Sequence, residues 1–325
     1  LHFLHLSRQP PPRLRFSAMC MAATLAGLAL LPRSTRVPSG PRAASAGASL
    51  AAPAIAVEAV SESSVEEAAV FFVEAFWVST NGGACSGGAL RLSRKERRLL
   101  EAQMADDFRT RYGCSWRVGS QLRQGEGLLP SRLLLARGDA GEVIGCVGIE
   151  AALLDPIARR VLPARNAEVR LQTELAALTL HPSEQARWER LSELYVTRQR
   201  GLRPLVSELL PACTAAALLT DLAVSPAWRR RGVARHLCGH GERLCSDWGL
   251  PGLALKVEEA NGAARRLYGG LGYEEVFRRD DEMATRVARL PAVTRADTAR
   301  TLLRNVPSSV LTLAKRAEER KNVRE

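Results

Sequence analysis

The stretch Leu222-Ala223-Val224-Ser225-Pro226-Ala227-Trp228-Arg229-Arg230-Arg231-Gly232-Val233-Ala234-Arg235 decides how the chain is read. Ahead of it, Ala215 to Val224 is an apolar run interrupted at Thr220 and Asp221, the pattern of a central strand buried on both faces. Behind it, Val233, Leu237, Cys238, Leu244, Cys245 and Trp248 recur at helical spacing until Gly249 stops the helix. Strand, basic turn with a glycine, then helix is an arrangement that holds phosphate. Amides of the first helical turn point outward at the positive end of the dipole, and Gly232 lets an anion approach where a Cβ would otherwise stand. Arginine side chains add charge-assisted hydrogen bonds. A run of three arginines taken alone is an ordinary solvated surface, so the phosphate reading depends on the residues C-terminal to this helix.

Those residues are a short strand, Leu253 to Val257, and then Asn261-Gly262-Ala263-Ala264-Arg265-Arg266-Leu267-Tyr268-Gly269-Gly270-Leu271-Gly272-Tyr273. Together with the turn they resemble the GNAT acetyltransferase superfamily. Its acyl-CoA motif, Gln/Arg-x-x-Gly-x-Gly/Ala, is met by Arg229, Gly232 and Ala234. Its second motif, Asn-x-x-Ala-x-x-Leu-Tyr-x-x-x-Gly-Phe/Tyr, is met by Asn261, Ala264, Leu267, Tyr268, Gly272 and Tyr273. Both motifs at the proper separation with a strand between them are far more specific than either alone. Within the superfamily, Leu222-Ala223-Val224 before Arg-Arg-Arg-Gly, the strand Gly145 to Glu150 and the ending Leu313-Ala314-Lys315 look like the plastid protein acetyltransferases of plants and algae.

The resemblance implies an α/β fold of the α+β type. Its sheet is mixed and mostly antiparallel, has about seven strands flanked by helices, and splays between the fourth strand (215–224) and the fifth (253–257). It implies that pantetheine lies in the splay, bonded to backbone at Leu222, Ala223 and Val224. Acetyl-CoA is the co-substrate, with pyrophosphate on the turn formed by Arg229, Arg230, Arg231, Gly232, Val233, Ala234 and Arg235, and with Asn261, Ala264 and Tyr268 from the second motif. The amine then attacks the thioester in a ternary complex, backbone N–H near Leu222 or Ala223 stabilises the oxyanion, and Tyr268 protonates the leaving thiolate. A phenol (pKa about 10) stays protonated at neutral pH and lies close enough to a thiol (about 8.5) to deliver the proton as sulfur departs. Two carboxylates at strand ends, Asp221 and Glu150, are candidates for the base. A nearly base-free route stands beside them for α-amines, which at pH ~8 are about half neutral, whereas lysine is neutral in well under ~1% of molecules.

The segments on either side fit this order. Ile55 to Val60 reads as a first strand, and Ser63 with Glu66, or Ser64 with Glu67, as a capping box for a helix to about Trp77. Ser79 to Gly88 is a Gly/Ser-rich loop, and Ser93 with Glu96 caps a second helix ending near Tyr112. Arg132 to Arg137 and Val143 to Glu150, joined by Gly138-Asp139-Ala140-Gly141, form a hairpin. Residues 151–212 read as an insertion with helical patches, among them Arg187 to Arg200. Glu274 to Arg278 and Val310 to Lys315 complete the sheet. The domains are therefore a targeting segment over 1–57, an acetyltransferase domain over 58–316 and a charged tail over 317–325.

Composition excludes other classes. The 325 residues are 46% apolar, as a globular chain is, and the net charge of +12 suggests polyanionic partners at first sight. Of the 46 basic residues, however, six arginines lie in residues 1–57, which hold no acid; the remaining 40 face all 34 acids over 268 residues, so no nucleic-acid surface is required. An Arg-, Ser- and Ala-rich segment without acids is the composition of a transit peptide. Its apolar stretch Ala18 to Leu31 is 14 residues, short of the ~20 that span a bilayer, so it reads as a signal-like part of a two-part sequence for a complex plastid. A mitochondrial address and a plain disordered extension are the alternatives. Seven cysteines, an odd number without Cys-x-x-Cys, argue against a disulfide framework; Cys238 and Cys245 fall on the buried side of their helix. His236 and His240 have a zinc-compatible spacing but no evident third ligand, so no metal is expected.

The expected function is acetyl transfer to protein or peptide amines, N-terminal α-amines and also lysine ε-amines. A small-amine acetyltransferase is the runner-up. Only four lysines and no acidic cluster near the motifs make a polycation such as spermidine a poor fit. The contrasting class is a catalytically inert CoA-binding module, against which Tyr268, Asn261 and Gly232 stand intact.

Overall fold

Eight strands form one twisted sheet in the order β1-β2-β3-β5-β6-β8-β7, with β4 paired to the far end of β3. The structure is a computed structural model that describes residues 55–78, 92–113, 129–196, 198–287 and 303–316. The targeting segment up to residue 54, the loop Ser79 to Gly88 and the tail 317–325 lie outside the described residues. The strands are β1 (Ala56–Ala59), β2 (Ser131–Arg137), β3 (Val143–Asp155), β4 (Arg160–Pro163), β5 (Thr214–Val224), β6 (Gly252–Glu258), β7 (Glu274–Val287) and β8 (Leu303–Arg316). The helices are α1 (Val65–Phe72), α2 (Arg94–Tyr112), α3 (Ala164–Leu178), α4 (Gln185–Val196), α5 (Arg198–Leu209), α6 (Val233–Asp247) and α7 (Gly262–Gly269).

Every pairing is antiparallel except β5 with β6, which is parallel and involves only Ala217 with Leu253, Leu218 with Ala254 and Leu219 with Leu255. Beyond Leu219 the two strands separate. This is the mixed, splayed sheet expected, with one strand more than expected. The additional strand arises because β3 continues past Glu150 to Asp155 and turns back as β4, the turn closed by Ala158 N–H donating to Asp155 Oδ1 at 2.9 Å. An arginine at its start and a proline at its end leave β4 too little apolar pattern to be read as a strand. The rest of the insertion is helical and packs α3 and α5 on β3 and β5 through Leu171, Leu202, Leu205 and Val206.

Alternation along β3 divides the core. Val147, Ile149, Ala151 and Leu153 point to one face, covered by α3, α5 and α6, while Cys146 points to the other, under α1 and α2. On that second face Phe72 stacks on Phe76 with centroids 4.9 Å apart, and Phe108 meets Phe72 edge-on at 5.8 Å. The cap of α2 forms as expected: Glu96 N–H donates to Ser93 Oγ at 3.3 Å and Ser93 N–H to Glu96 Oε2 at 2.8 Å. Neither expected box forms at α1. Ser64 Oγ instead accepts from Ser61 N–H at 2.9 Å, Glu66 pairs with Arg109, and Glu67 is drawn to Arg137 at 2.7 Å. The helix does extend as far as expected, its last turn, Val73–Val78, widening to a π-helix. β7 and β8 outrun their expected lengths because the charged run Arg279 to Glu282 is taken into the hairpin at a register shift.

Candidate functional site

The turn after β5 is built by backbone conformation. Ser225 N–H donates to Ile144 O at 2.9 Å, a short 3-10 turn follows over Pro226–Trp228, and the chain passes through left-handed φ at Arg230 (+64°) and Gly232 (+88°) into α6. A Cβ on Gly232 would meet nothing within 4 Å, so glycine is there for its φ, and the space beside it is open. α6 is then fastened to the sheet by Val233, Leu237, Cys238, Gly241 and Cys245, all buried. Burial pushes the Cys245 thiol up to about 11 and the Cys238 thiol up to about 12, which suits inert core residues.

Between this turn, the separating end of β5 and α7 lies a cavity of about 470 Å³. Its walls take in Leu222, Ala223 and Val224 from β5; Arg229, Arg230, Gly232, Val233, Ala234 and Arg235 from the turn; and Asn261, Ala264 and Tyr268 from α7. Arg231 is outside the lining, its guanidinium 5.2 Å from the centroid of the Trp228 ring. Arg229 faces inward but is partly spent on the protein, with Nε donating to Val224 O and Nη2 to Ala75 O, each at 3.3 Å. It thereby ties the mouth of the cavity to the π-turn. Asn261 Oδ1 caps α7 by accepting from Ala264 N–H at 3.0 Å. Tyr268 is 1% exposed and meets Tyr273 edge-on at 5.8 Å, and the Tyr273 hydroxyl donates to Glu242 Oε1 at 3.3 Å. Ala75, Phe76, Trp228 and Arg266 also line the cavity and were not anticipated; the π-turn pair is distant in sequence and carries no motif.

Neither candidate base, Asp221 nor Glu150, is in the lining of this cavity, and both are buried. They sit in one buried network on the α2 face, organised by Arg111. Arg111 Nη1 donates to Asp221 Oδ2 at 2.7 Å, and Nη2 donates to Glu150 Oε1 at 2.9 Å and Thr220 Oγ1 at 2.8 Å. The Tyr112 hydroxyl donates to Asp221 Oδ2 at 2.6 Å and lies 2.8 Å from Thr220 Oγ1. Glu150 Oε2 accepts from Ala164 N–H at 3.2 Å, which starts α3. Tyr112 can stand here because residue 148 is glycine: a Cβ there would be 2.0 Å from its hydroxyl. Burial drives the Tyr112 phenol well above its ordinary value. The sequence reading missed Arg111, Tyr112 and Thr220, for which the Asp107/Arg111 spacing on α2 was the one available signal.

Asp107 completes the group, 3.5 Å from Arg111. Burial raises its carboxyl to about 6, and Arg111 acts against that shift. A carboxyl whose folded value is raised contributes stability that is complete below its unfolded value near 4 and is lost as pH rises through about 6. Asp107→Asn should therefore lose roughly 2–3 kcal/mol less than the parent between pH 4 and 7, as read by urea unfolding at both pH values.

His236 and His240 face one another with centroids 5.0 Å apart, and among the described residues no three potential ligands converge on a metal position. Nor, among them, is any helix long and apolar enough to cross a membrane.

A mixed sheet split after three parallel pairs, with a glycine turn and helix at the split, is the GNAT fold. Residues 203–273 match the sequence model of the acetyltransferase (GNAT) family, and fold and match together support a GNAT acetyltransferase. No curated protein sequence matches the chain significantly. Among solved structures, the ribosomal-protein-S18-alanine N-acetyltransferase of Escherichia coli is similar at 13% identity and TM-score 0.36, covering 81% of this chain and 94% of its own. Arabidopsis thaliana NAA60 in complex with acetyl-CoA is similar at 12% and 0.38, covering 81% and 98%. Drosophila melanogaster polyamine N-acetyltransferase is similar at 14% and 0.37, covering 81% and 100%. None of these similarities selects an acceptor for this chain.

Proposed function

We propose that the chain transfers acetyl from acetyl-CoA to amines of proteins or peptides, N-terminal α-amines ahead of lysine ε-amines. The observation that carries this reading is the cavity itself. It combines an open cradle at Gly232, arginines on its rim, a strand edge at Leu222 to Val224 with no ladder partner on the β6 side among the described residues, and Tyr268 in its wall. That edge fits an amide-bearing arm laid along it as an added strand, and the rim fits a pyrophosphate.

The residues then divide the work. The turn and the N-terminus of α6 bind and orient acetyl-CoA, backbone N–H at Leu222 or Ala223 takes up the charge that develops on the thioester oxygen, and Tyr268 gives its phenol proton to the departing sulfur. An α-amine loses its proton to water at mildly alkaline pH without a protein base, which favours it over lysine. The acid-free segment up to residue 57 supports delivery to a plastid; a native protein that retained Arg13 or Arg33 would count against it.

Gly232→Glu should abolish detectable acetyl-CoA binding, since it sets a carboxylate at the pyrophosphate position and forces a bulky residue to φ +88°. Calorimetry on parent and variant measures this directly, and an unchanged Kd would move the phosphate site elsewhere. Treating a proteome-derived peptide library with protein and acetyl-CoA, with mass spectrometry of the products, tests the acceptor. Modified α-amines with fewer modified lysines are expected. Acetylation of spermidine or a free amino acid with no peptide modified would replace this reading by the small-amine one.

A further inference from the structure

The end of β5 that lines the cavity begins at a distortion. β3 and β5 pair Gly148 with Thr220 and next Cys146 with Ala223, so Val147 alone stands against both Asp221 and Leu222. This is a β-bulge, and Asp221 sits in it at φ +52°, a left-handed conformation that disfavours a residue with a Cβ by about 1 kcal/mol or more. Parallel pairing with β6 has ended two residues earlier, at Leu219. The bulge therefore falls where the strand leaves its neighbour and turns its backbone to the cavity.

The side chain of Asp221 is held there from outside the sheet. Its carboxylate Oδ2 accepts from Arg111 at 2.7 Å and Tyr112 at 2.6 Å, both in the last turn of α2, and its carbonyl accepts from the Cys146 thiol at 3.4 Å. Arg111 is fixed in turn by Glu150, and its carbonyl by Ser131 Oγ at 2.9 Å. Gly148 clears the ground for the Tyr112 hydroxyl. We propose that Arg111 and Tyr112 are positioning residues for acetyl transfer, clamping the Asp221 bulge so that Leu222 and Ala223 present their backbone to the reacting thioester, and that Asp221 serves as the anchor of this clamp and not as the base. This rests on the function proposed above.

The test uses the protein with acetyl-CoA and its best peptide acceptor, reading CoA thiol release. Tyr112→Phe keeps the ring and removes one hydroxyl. It is expected to lower kcat about 5- to 50-fold, part of the roughly 100- to 1000-fold lost when an oxyanion donor is removed outright, while KM for acetyl-CoA changes less than about threefold because the phosphate turn is untouched. Asp221→Asn is expected to lower kcat by a comparable factor, and the double variant to be no slower than about twofold below the worse single, as residues acting through one element behave. A purely structural role would lower stability and leave kcat per folded molecule unchanged; that result overturns the proposal. So does Asp221→Asn falling more than about 100-fold below Tyr112→Phe, the size of a lost base. Absence of turnover by the parent on every peptide and small amine would reject the acetyltransferase reading, and the clamp's catalytic role with it, before any variant is compared.

Discussion

Arg111→Met is expected to cost the domain about 3–5 kcal/mol, the range for removing one partner from a buried ionic cluster and leaving the others uncompensated. Three carboxylates, of Asp107, Glu150 and Asp221, converge on this guanidinium, and all three are buried. Methionine fills much of the volume but neutralises none of them. For a domain of this size the loss corresponds to a fall in Tm on the order of 10 °C. The deficit should shrink as pH is lowered, since protonation of Asp107, whose carboxyl burial raises to about 6, relieves part of the repulsion that Arg111 balances. Urea unfolding of parent and variant at about pH 8 and about pH 5 measures both effects; a loss below about 1 kcal/mol at the higher pH would mean the carboxylates find other partners.

Tyr268→Phe should lower kcat by roughly 10- to 1000-fold, the range for losing one proton donor, with acetyl-CoA affinity nearly intact. The ring is 1% exposed and packed against Tyr273, so phenylalanine fills the same space and the change isolates the hydroxyl. Single-turnover kinetics with a good α-amine peptide is the measurement of choice, because it separates chemistry from product release. Equal rates would remove Tyr268 from the mechanism and leave it as a wall of the cavity.

The legible part of this chain was legible for local reasons. Between Thr214 and Tyr273 each signal lies within a few residues of the feature it specifies: Gly232 with its turn, Asn261 with the helix it caps three residues on, Gly249 with the end of α6. The same holds for Ser93 and Glu96. The Arg111 network has no such signature. Its members are 39 and 110 residues apart along the chain, and on α2 alone Arg111 looks like any surface arginine. The bulge at Asp221 was invisible too, because a bulge is a mismatch between two strands and neither sequence alone contains it. β4 was lost because a short edge strand bounded by Arg160 and Pro163 carries residues that resist further pairing, and these also erase the apolar pattern.

The split between β5 and β6 has a mechanical side. Within the sheet, among the described residues, the leaf built from β1 to β5 and the leaf of β6, β8 and β7 are stitched together by three residue pairs alone. Amide groups of a ligand lying in the opening would supply the missing stitches, so the small molecule would be a component of the sheet as well as a reactant. Occupancy then reports on cohesion: at about a hundredfold excess over its Kd, acetyl-CoA would add about 2.7 kcal/mol to the unfolding free energy. Hydrogen exchange at Leu222 to Val224 should slow with it, and each round of turnover would loosen and refasten the seam.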